Sequence, residues 1–382
     1  MSDTKRLHAL DAARGLAALA VVIWHWQHMY LIGGGKLADR SLQPFYALLY
    51  PFYEAGWLAV EFFFTLSGFV FFWLYGERIA AGTLSVRAFW VARFSRLYPL
   101  HLVALLAVAA LQGLLLASGH QSFVYGGTTL PNFVLNLLFL QYFIHGWTFN
   151  GPEWSVGVEV LLYGLFFIYC RLIKPSWTIP LLVMVGLGFW LMWVDWGLGR
   201  GLLGFFAGGI VWLAWRALSV RGLDPRWVGV LLAAVLALWI VGVVELGTHP
   251  IAGWLNSLGF EGWRWLENTF RLVLVPLTVL ALSLHESTGV TFWRHLSPLG
   301  DLTYALYLLH FPLQLLIAVG VTLWGLPVEP FQSPLGLIGY MATLIGLSIL
   351  SYRWLERPAQ TWLRSRLAPH PAKSPAPLRV DP

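Results

Sequence analysis

A handful of ionisable residues stand inside long apolar stretches of the chain, and their types are those that carry chemistry. Arg14 and His25 lie eleven positions apart in LDAARGLAALAVVIWH. On a helix that interval returns to nearly the same face about 16 Å further on. Glu61 in GWLAVEFFFTLSGFVFFWLY and Glu159 in GPEWSVGVE each sit one to two turns inside the start of an apolar stretch. A charged group so placed is expensive unless it is satisfied, which makes each one a candidate for function. A carboxylate at the depth of His25 would bond one imidazole nitrogen, fix the tautomer and raise the basicity of the other. Glu61 is the expected partner, Glu159 shares the layer, and a purely structural His–Glu pair is the plainer alternative.

A second group lies towards the other end of these helices. RAFWVARFSRLYPLH places Arg93 and Arg96 at i, i+3, neighbours on one face. Two guanidiniums so placed suit phosphates, which they hold with paired hydrogen bonds. A basic flank on the cytoplasmic side of a membrane, or a lipid headgroup contact, explains the spacing nearly as well. Arg14 falls at the same level, where a snorkelling role is equally open. His101 lies a turn or so deeper. Trp154 and Ser155 stand at the mouth of the Glu159 helix, where Ser155 is expected to cap exposed amides rather than react. His310 in DLTYALYLLHFPL falls near the middle of its stretch and is assigned a structural or acceptor-side role; Asp301 and Arg271, near helix ends, are assigned none.

The elements that position these groups follow from composition. With 58% hydrophobic and 11% charged residues and a mean hydropathy of +0.69, the chain has too little charge to coat a water-soluble globule of 382 residues, so the lipid bilayer is its solvent. The 22 Trp suit the boundary between acyl chains and headgroups. The net charge of +6 is scattered between apolar runs, which argues against nucleic acid as a partner. The single Cys170 excludes an internal disulfide and a thiolate-cluster metal site, and no metal is expected.

A spanning helix needs about twenty mostly apolar residues. Roughly ten such stretches occur, centred near Leu19, Phe64, Leu106, Gly164, Gly186, Phe206, Val235, Thr278, Leu313 and Thr343. The fold class is therefore all-α, a polytopic transmembrane bundle. A short outer re-entrant or interfacial helix is added over Phe133 to Phe143, too brief to cross and flanked by Gly and Pro. The first stretch lacks a cleavage site and is expected to be retained. An even count puts both termini on one side. The excess of Arg in alternate loops places that side in the cytoplasm, with Arg200 assigned to an outer loop. Residues 1–358 form the transmembrane domain, and 359–382 a Pro-rich basic cytoplasmic tail expected to be disordered.

Phosphate-binding arginines facing the cytosol and a His with carboxylates facing outward suggest a cytosolic anionic donor and an outside acceptor. A coenzyme A thioester fits the first half, because its phosphates would stay with the arginines while the pantetheine arm carries the acyl group inward. The same stretches together resemble the acyltransferase-3 family of integral membrane O-acyltransferases. The resemblance is carried by LDAARGLAALAVVIWH, by VEFFFTLSGFVF around Glu61 and Ser67, by RFSRLYPLH and EWSVGVE, and by LGDLTYALYLLHFPL. It implies transfer of an acyl group, most often acetyl, from acyl-CoA to a hydroxyl, commonly on a bacterial surface or exported glycan. Other members act on macrolides, lipids or peptidoglycan. It also implies a bacterial inner-membrane location, a catalytic His25, and Arg14, Arg93 and Arg96 essential through the donor. Two departures stand out: Glu61 where Asp is frequent and Val156 where Leu is frequent. Some relatives carry a fused esterase-like domain that has no counterpart in this sequence.

The expected mechanism has His25, oriented by Glu61, take the proton of the acceptor hydroxyl as it attacks the thioester, with Trp154 or helix-end amides holding the oxyanion. An acyl-imidazole relay on His25 is the rival. A different class, a proton-coupled transporter or flippase, remains open because intramembrane His and carboxylates also relay protons. No broken-helix pair marks corresponding positions in the two halves, and a scaffold would leave Glu61 and Glu159 without a task. The acceptor and the oligomeric state are not readable from sequence.

Overall fold

The chain is seen in a computed structural model, which describes residues 6–144, 147–222, 224–289 and 291–367. Among them nine helices are long and apolar enough to cross a membrane. In chain order the helices that matter here are α1 (His8–Gly34), α2 (Tyr46–Ala80), α3 (Val86–Ala117), the short α4 (Leu130–Leu137), α5 (Gly151–Leu172), the short α6 (Thr178–Leu191), α7 (Trp196–Arg221), α8 (Pro225–Thr248), α9 (Gly262–Ser287), α10 (Pro298–Trp324) and α11 (Pro334–Leu367). The tenth apolar stretch, near Gly186, is α6. Its 14 residues reach about 21 Å, short of a hydrocarbon core of about 30 Å. The segment expected to be re-entrant or interfacial contains the eight-residue α4 and a four-residue helix at Gln141–Ile144.

Polar residues fix where several helices begin. Ser85, Thr129, Asp195 and Ser333 each accept a hydrogen bond from a backbone amide of the first turn. Packing is closest where glycine removes the side chain. A Cβ on Gly68 of α2 would overlap the Phe205 carbonyl, and one on Gly208 of α7 would overlap the Thr65 carbonyl. These two helices therefore meet backbone to backbone, as small residues permit in bilayer proteins. Likewise, a Cβ on Gly15 of α1 would lie 2.5 Å from Leu299 Cβ, and one on Gly300 of α10 would lie 2.6 Å from the Asp11 carbonyl. That approach brings Arg14 to α10. The interior is aromatic, with Phe71, Phe72, Phe166 and Phe205 in one cluster and Trp26, Phe311 and Tyr340 in another.

Several helices change pitch: α2, α9 and α11 each carry a π-helical turn, at Phe72–Gly76, Phe270–Leu274 and Tyr352–Glu356. Helix α1 is α-helical to Trp24 and 3₁₀ from His25, with non-helical backbone at Ile32 and Gly33, so residues three apart eclipse just after His25. Helix α11 runs on through Arg357–Leu367. The first nine residues of the stretch set apart as a tail are thus helical, packed along the start of α3. The rest of that tail, 368–382, lies outside the described residues.

Candidate functional site

The tightening of α1 at His25 decides the surroundings of its imidazole. His28, one 3₁₀ turn on, lies 5.2 Å away ring to ring, and His310 of α10 lies 4.7 Å away. All three residues are buried. His25 Nδ1 stands 2.8 Å from the Val21 carbonyl. A carbonyl can only accept, so Nδ1 carries the proton, and Nε2 is left as the basic nitrogen. His28 Nδ1 donates to Gln314 Oε1 at 2.9 Å, and Gln314 Nε2 donates to the His25 carbonyl at 3.0 Å. His310 is held by its Nδ1 towards the Leu306 carbonyl at 3.3 Å and by Tyr340, whose hydroxyl donates to the His310 carbonyl. Its Nε2 is buried without a partner among the described residues.

The expected bond between Glu61 and His25 is not formed. Glu61 Oε1 instead accepts from Arg200 Nε at 2.6 Å and from Arg271 Nε at 2.9 Å, with all three side chains almost fully buried. Two guanidiniums outcompete an imidazole for one carboxylate, because each presents a planar fork of donors that matches carboxylate geometry. Arg200 is not in an outer loop as expected but inside α7, with its guanidinium 3.9 Å from the Trp196 ring centre and 5.2 Å from those of Trp57 and Trp154. Trp154 thus walls a cation in. Arg271, assigned nothing from sequence, is the second half of this centre and reaches Glu267 as well, at 3.0 Å.

Glu159 does not join His25 either. It accepts from Ser67 Oγ at 2.7 Å and lines a cavity of about 150 Å³ together with Arg14, Arg93 and Arg96. Glu159 turns to Ser67 and to this cavity rather than to the His25 imidazole. Ser155 is not a cap: α5 begins before it, and its hydroxyl pairs with Tyr307 Oη at 2.8 Å inside the same cavity. Tyr307 in turn donates to the Pro152 carbonyl at 2.8 Å and lies 6.1 Å, ring to ring, from His310. A line of polar groups therefore runs from the arginines past Glu159, Ser155 and Tyr307 to His310 and His25, between apolar walls that include Phe63, Phe64 and Phe71.

The arginines differ in how firmly they are held. Arg93 Nη2 donates to Tyr75 Oη at 2.6 Å, with the guanidinium about 5 Å from the Phe71 and Tyr75 rings. Arg14 bonds the Gly300 carbonyl at 2.7 Å and Asp11 at 3.1 Å. Arg96 is solvent-exposed and makes no ion pair among the described residues. Arg14 and Arg96 also line a wider cavity of about 270 Å³, which shares Tyr304 with the first.

One buried pair went unread in the sequence. His101 Nδ1 donates to Glu153 Oε1, both side chains being fully buried, and the imidazole stacks on Phe139 at 4.0 Å. Phe139 holds a left-handed backbone at φ +59°, strained for a residue with a Cβ. The available signal was a lone His in an apolar helix and a Glu opening a helix at the same depth, 52 positions apart.

A family model described as an acyltransferase domain matches residues 7–353. Among curated proteins, the chain is 34% identical over 173 residues to an acyltransferase, MdmB, of Streptomyces mycarofaciens, covering 44% of this chain and 40% of that protein. It is 37% identical over 109 residues to protein 2 of the picA locus of Rhizobium radiobacter, covering 28% and 47%. It is 26% identical over 126 residues to a protein-methionine-sulfoxide reductase heme-binding subunit, MsrQ, of Brucella ovis, covering 32% and 53%. The matched stretches thus span about half the length of these relatives. No solved structure matches the chain.

Proposed function

The chain belongs to the acyltransferase-3 family of membrane acyltransferases, and on that premise we propose that it moves an acyl group, acetyl in the first instance, from acyl-CoA to a hydroxyl of a glycan or glycolipid. The observation that carries this reading is the fixed tautomer of His25, whose Nδ1 donates to the Val21 carbonyl and leaves Nε2 free to take a proton. In this reading the donor phosphates rest on Arg14, Arg93 and Arg96. The thioester arm occupies the apolar cavity up to Ser155 and Tyr307.

The acceptor oxygen attacks the thioester carbon while its proton passes to His25 Nε2. The carbon–sulfur bond then breaks, and the proton passes on to the departing thiolate, so the step balances without any other reactant. Ser155, whose hydroxyl proton is shared only with Tyr307 Oη while Tyr307's own proton is held by the Pro152 carbonyl, is the group that can turn to donate to the oxyanion. Glu61 does not orient His25 in this scheme; it holds Arg200 and Arg271. Trp196, half exposed, stacks on Trp154 and lies tilted to Trp57, and an exposed indole of this kind suits a sugar ring. Arg6 and Arg14 near the start of α1 and Arg357 near the end of α11 line one cavity, which supports termini on one side with α6 returning the chain between α5 and α7, and the positive bias of alternate loops supports the cytoplasmic side of a bacterial inner membrane for both.

The test uses purified protein in lipid nanodiscs with radiolabelled acetyl-CoA and a panel of glycans. Release of free CoA with label in the glycan, abolished in His25→Ala, supports the reading. If the wild type neither binds acetyl-CoA nor releases CoA from it, the reading fails and transport becomes the better account.

A further inference from the structure

The wider cavity, of about 270 Å³, is lined by four cations, Arg6, Arg14, Arg96 and Arg357, and three carboxylates, Asp11, Asp301 and Glu356. These charges are not evenly satisfied. Arg6 pairs with Asp11 at 2.6 Å and Asp301 at 3.0 Å, and Arg14 pairs with Asp11 at 3.1 Å. Glu356 accepts from the Ser351 hydroxyl at 3.1 Å. Among the described residues, Arg96 and Arg357 have no carboxylate within 4 Å, yet both face this cavity and both are solvent-exposed. Arg357 lies 5.4 Å from the Tyr352 ring centre, an arrangement that fixes the plane of a guanidinium while leaving its donor edge free.

The two free arginines come from different elements held in register. Arg96 is on α3, and Arg357 opens the terminal segment Arg357–Leu367 of α11. That segment is tied to α3 by Arg364, which donates to Ser95 Oγ at 3.3 Å and the Ala92 carbonyl at 3.4 Å, and by Arg87, which donates to the Leu367 carbonyl at 3.0 Å. Gln360, one turn beyond Arg357, adds an amide to the same wall. Through Arg14, Arg96 and Tyr304 this cavity adjoins the one that leads to Ser155 and Tyr307.

We infer that Arg357 and Gln360 extend the phosphate site of Arg14, Arg93 and Arg96 onto the C-terminal helix, with Arg96 shared between the two cavities, and take the terminal nucleotide phosphate of the donor. The inference rests on the acyl-CoA reading for its ligand but not for its geometry. Two unpaired guanidiniums over one open cavity recognise phosphate, whether it belongs to a nucleotide or to a lipid headgroup. The continuity of this cavity, through Arg14, Arg96 and Tyr304, with the one that reaches Ser155 and Tyr307 favours the nucleotide.

The test is binding of adenosine 3′,5′-bisphosphate, which carries the nucleotide phosphates and no thioester, to the full-length protein in phosphatidylcholine nanodiscs. The expected result is saturable binding, weakened roughly tenfold or more in Arg357→Gln, as loss of one charge-assisted contact implies. It should be unchanged in Arg366→Gln, which removes a charge of the same helix outside the cavity. Thermal melts of each variant establish that it is folded. Absence of bisphosphate binding in a protein that still turns over acetyl-CoA overturns the subsite and leaves the donor reading standing. Binding lost in Arg357→Gln in a protein without acyl transfer does the reverse. Binding that disappears when phosphatidylglycerol replaces phosphatidylcholine assigns the arginines to lipid headgroups and overturns the proposal.

Discussion

His25 and His310 face one another with ring centres 4.7 Å apart, and neither imidazole bonds a carboxylate among the described residues. His25 is oriented by its own helix through Val21 and is buried against the rings of Trp24, His28 and His310, so its removal costs one backbone contact and the packing of one small ring. His25→Ala should therefore lower kcat by about 10²–10⁴-fold, the usual worth of a general base. Its thermal midpoint should fall modestly, and His25→Gln, which keeps more of the side-chain volume, should lose kcat to the same extent. A kcat within tenfold of wild type, measured by CoA release, would remove His25 from the chemistry.

Glu61 makes the opposite prediction. It is the shared counter-ion of Arg200 and Arg271, all three being buried. Glu61→Gln leaves two guanidiniums without their carboxylate, and breaking a buried ion pair on one side costs about 3–5 kcal/mol. The variant should melt well below wild type in detergent, before any assay is run. A Glu61→Gln protein of native thermal stability with a lost kcat would restore the catalytic role expected from sequence.

These two residues show what was legible and what was not. Helix positions follow from apolar length, a one-dimensional property, so nine of the ten stretches emerge as long helices and the tenth as the short α6. Depth along a helix is legible in the same way. The direction a side chain faces depends on neighbours that no local pattern names. Glu61 was expected at the depth of His25, yet Arg200 and Arg271, 139 and 210 positions away in the chain, decide its partners. Arg14, Arg93 and Arg96 do converge as expected, because all three lie at the same ends of their helices. The change of pitch at His25, which brings His28 alongside, has no signal in HWQH.

The buried His101–Glu153 pair ties α3 to the start of α5, immediately before Ser155. Either single substitution, His101→Leu or Glu153→Leu, leaves a buried polar group without its partner. Each should cost several kcal/mol, on the order of 3–5. The double substitution removes both groups and should recover much of that stability. The check is a double-mutant cycle on thermal unfolding. Additive losses would mean that the two side chains do not act as a pair.

Arg93 offers a separation of shape from charge. Its guanidinium donates to Tyr75 and lies over two aromatic rings, Phe71 and Tyr75, while facing the cavity that also contains Glu159. Lysine keeps the charge but cannot reproduce a planar fork stacked on aromatic faces. If the fork is what receives the donor, Arg93→Lys should raise the KM for acetyl-CoA by roughly tenfold, the worth of about one strong hydrogen bond, with kcat changed much less. Tyr75→Phe removes only the 2.6 Å hydrogen bond and keeps the ring, so its effect on KM should be the smaller of the two. Equal KM values for Arg93→Lys and wild type would show that only net charge matters at this position, and the paired geometry would lose its place in donor binding.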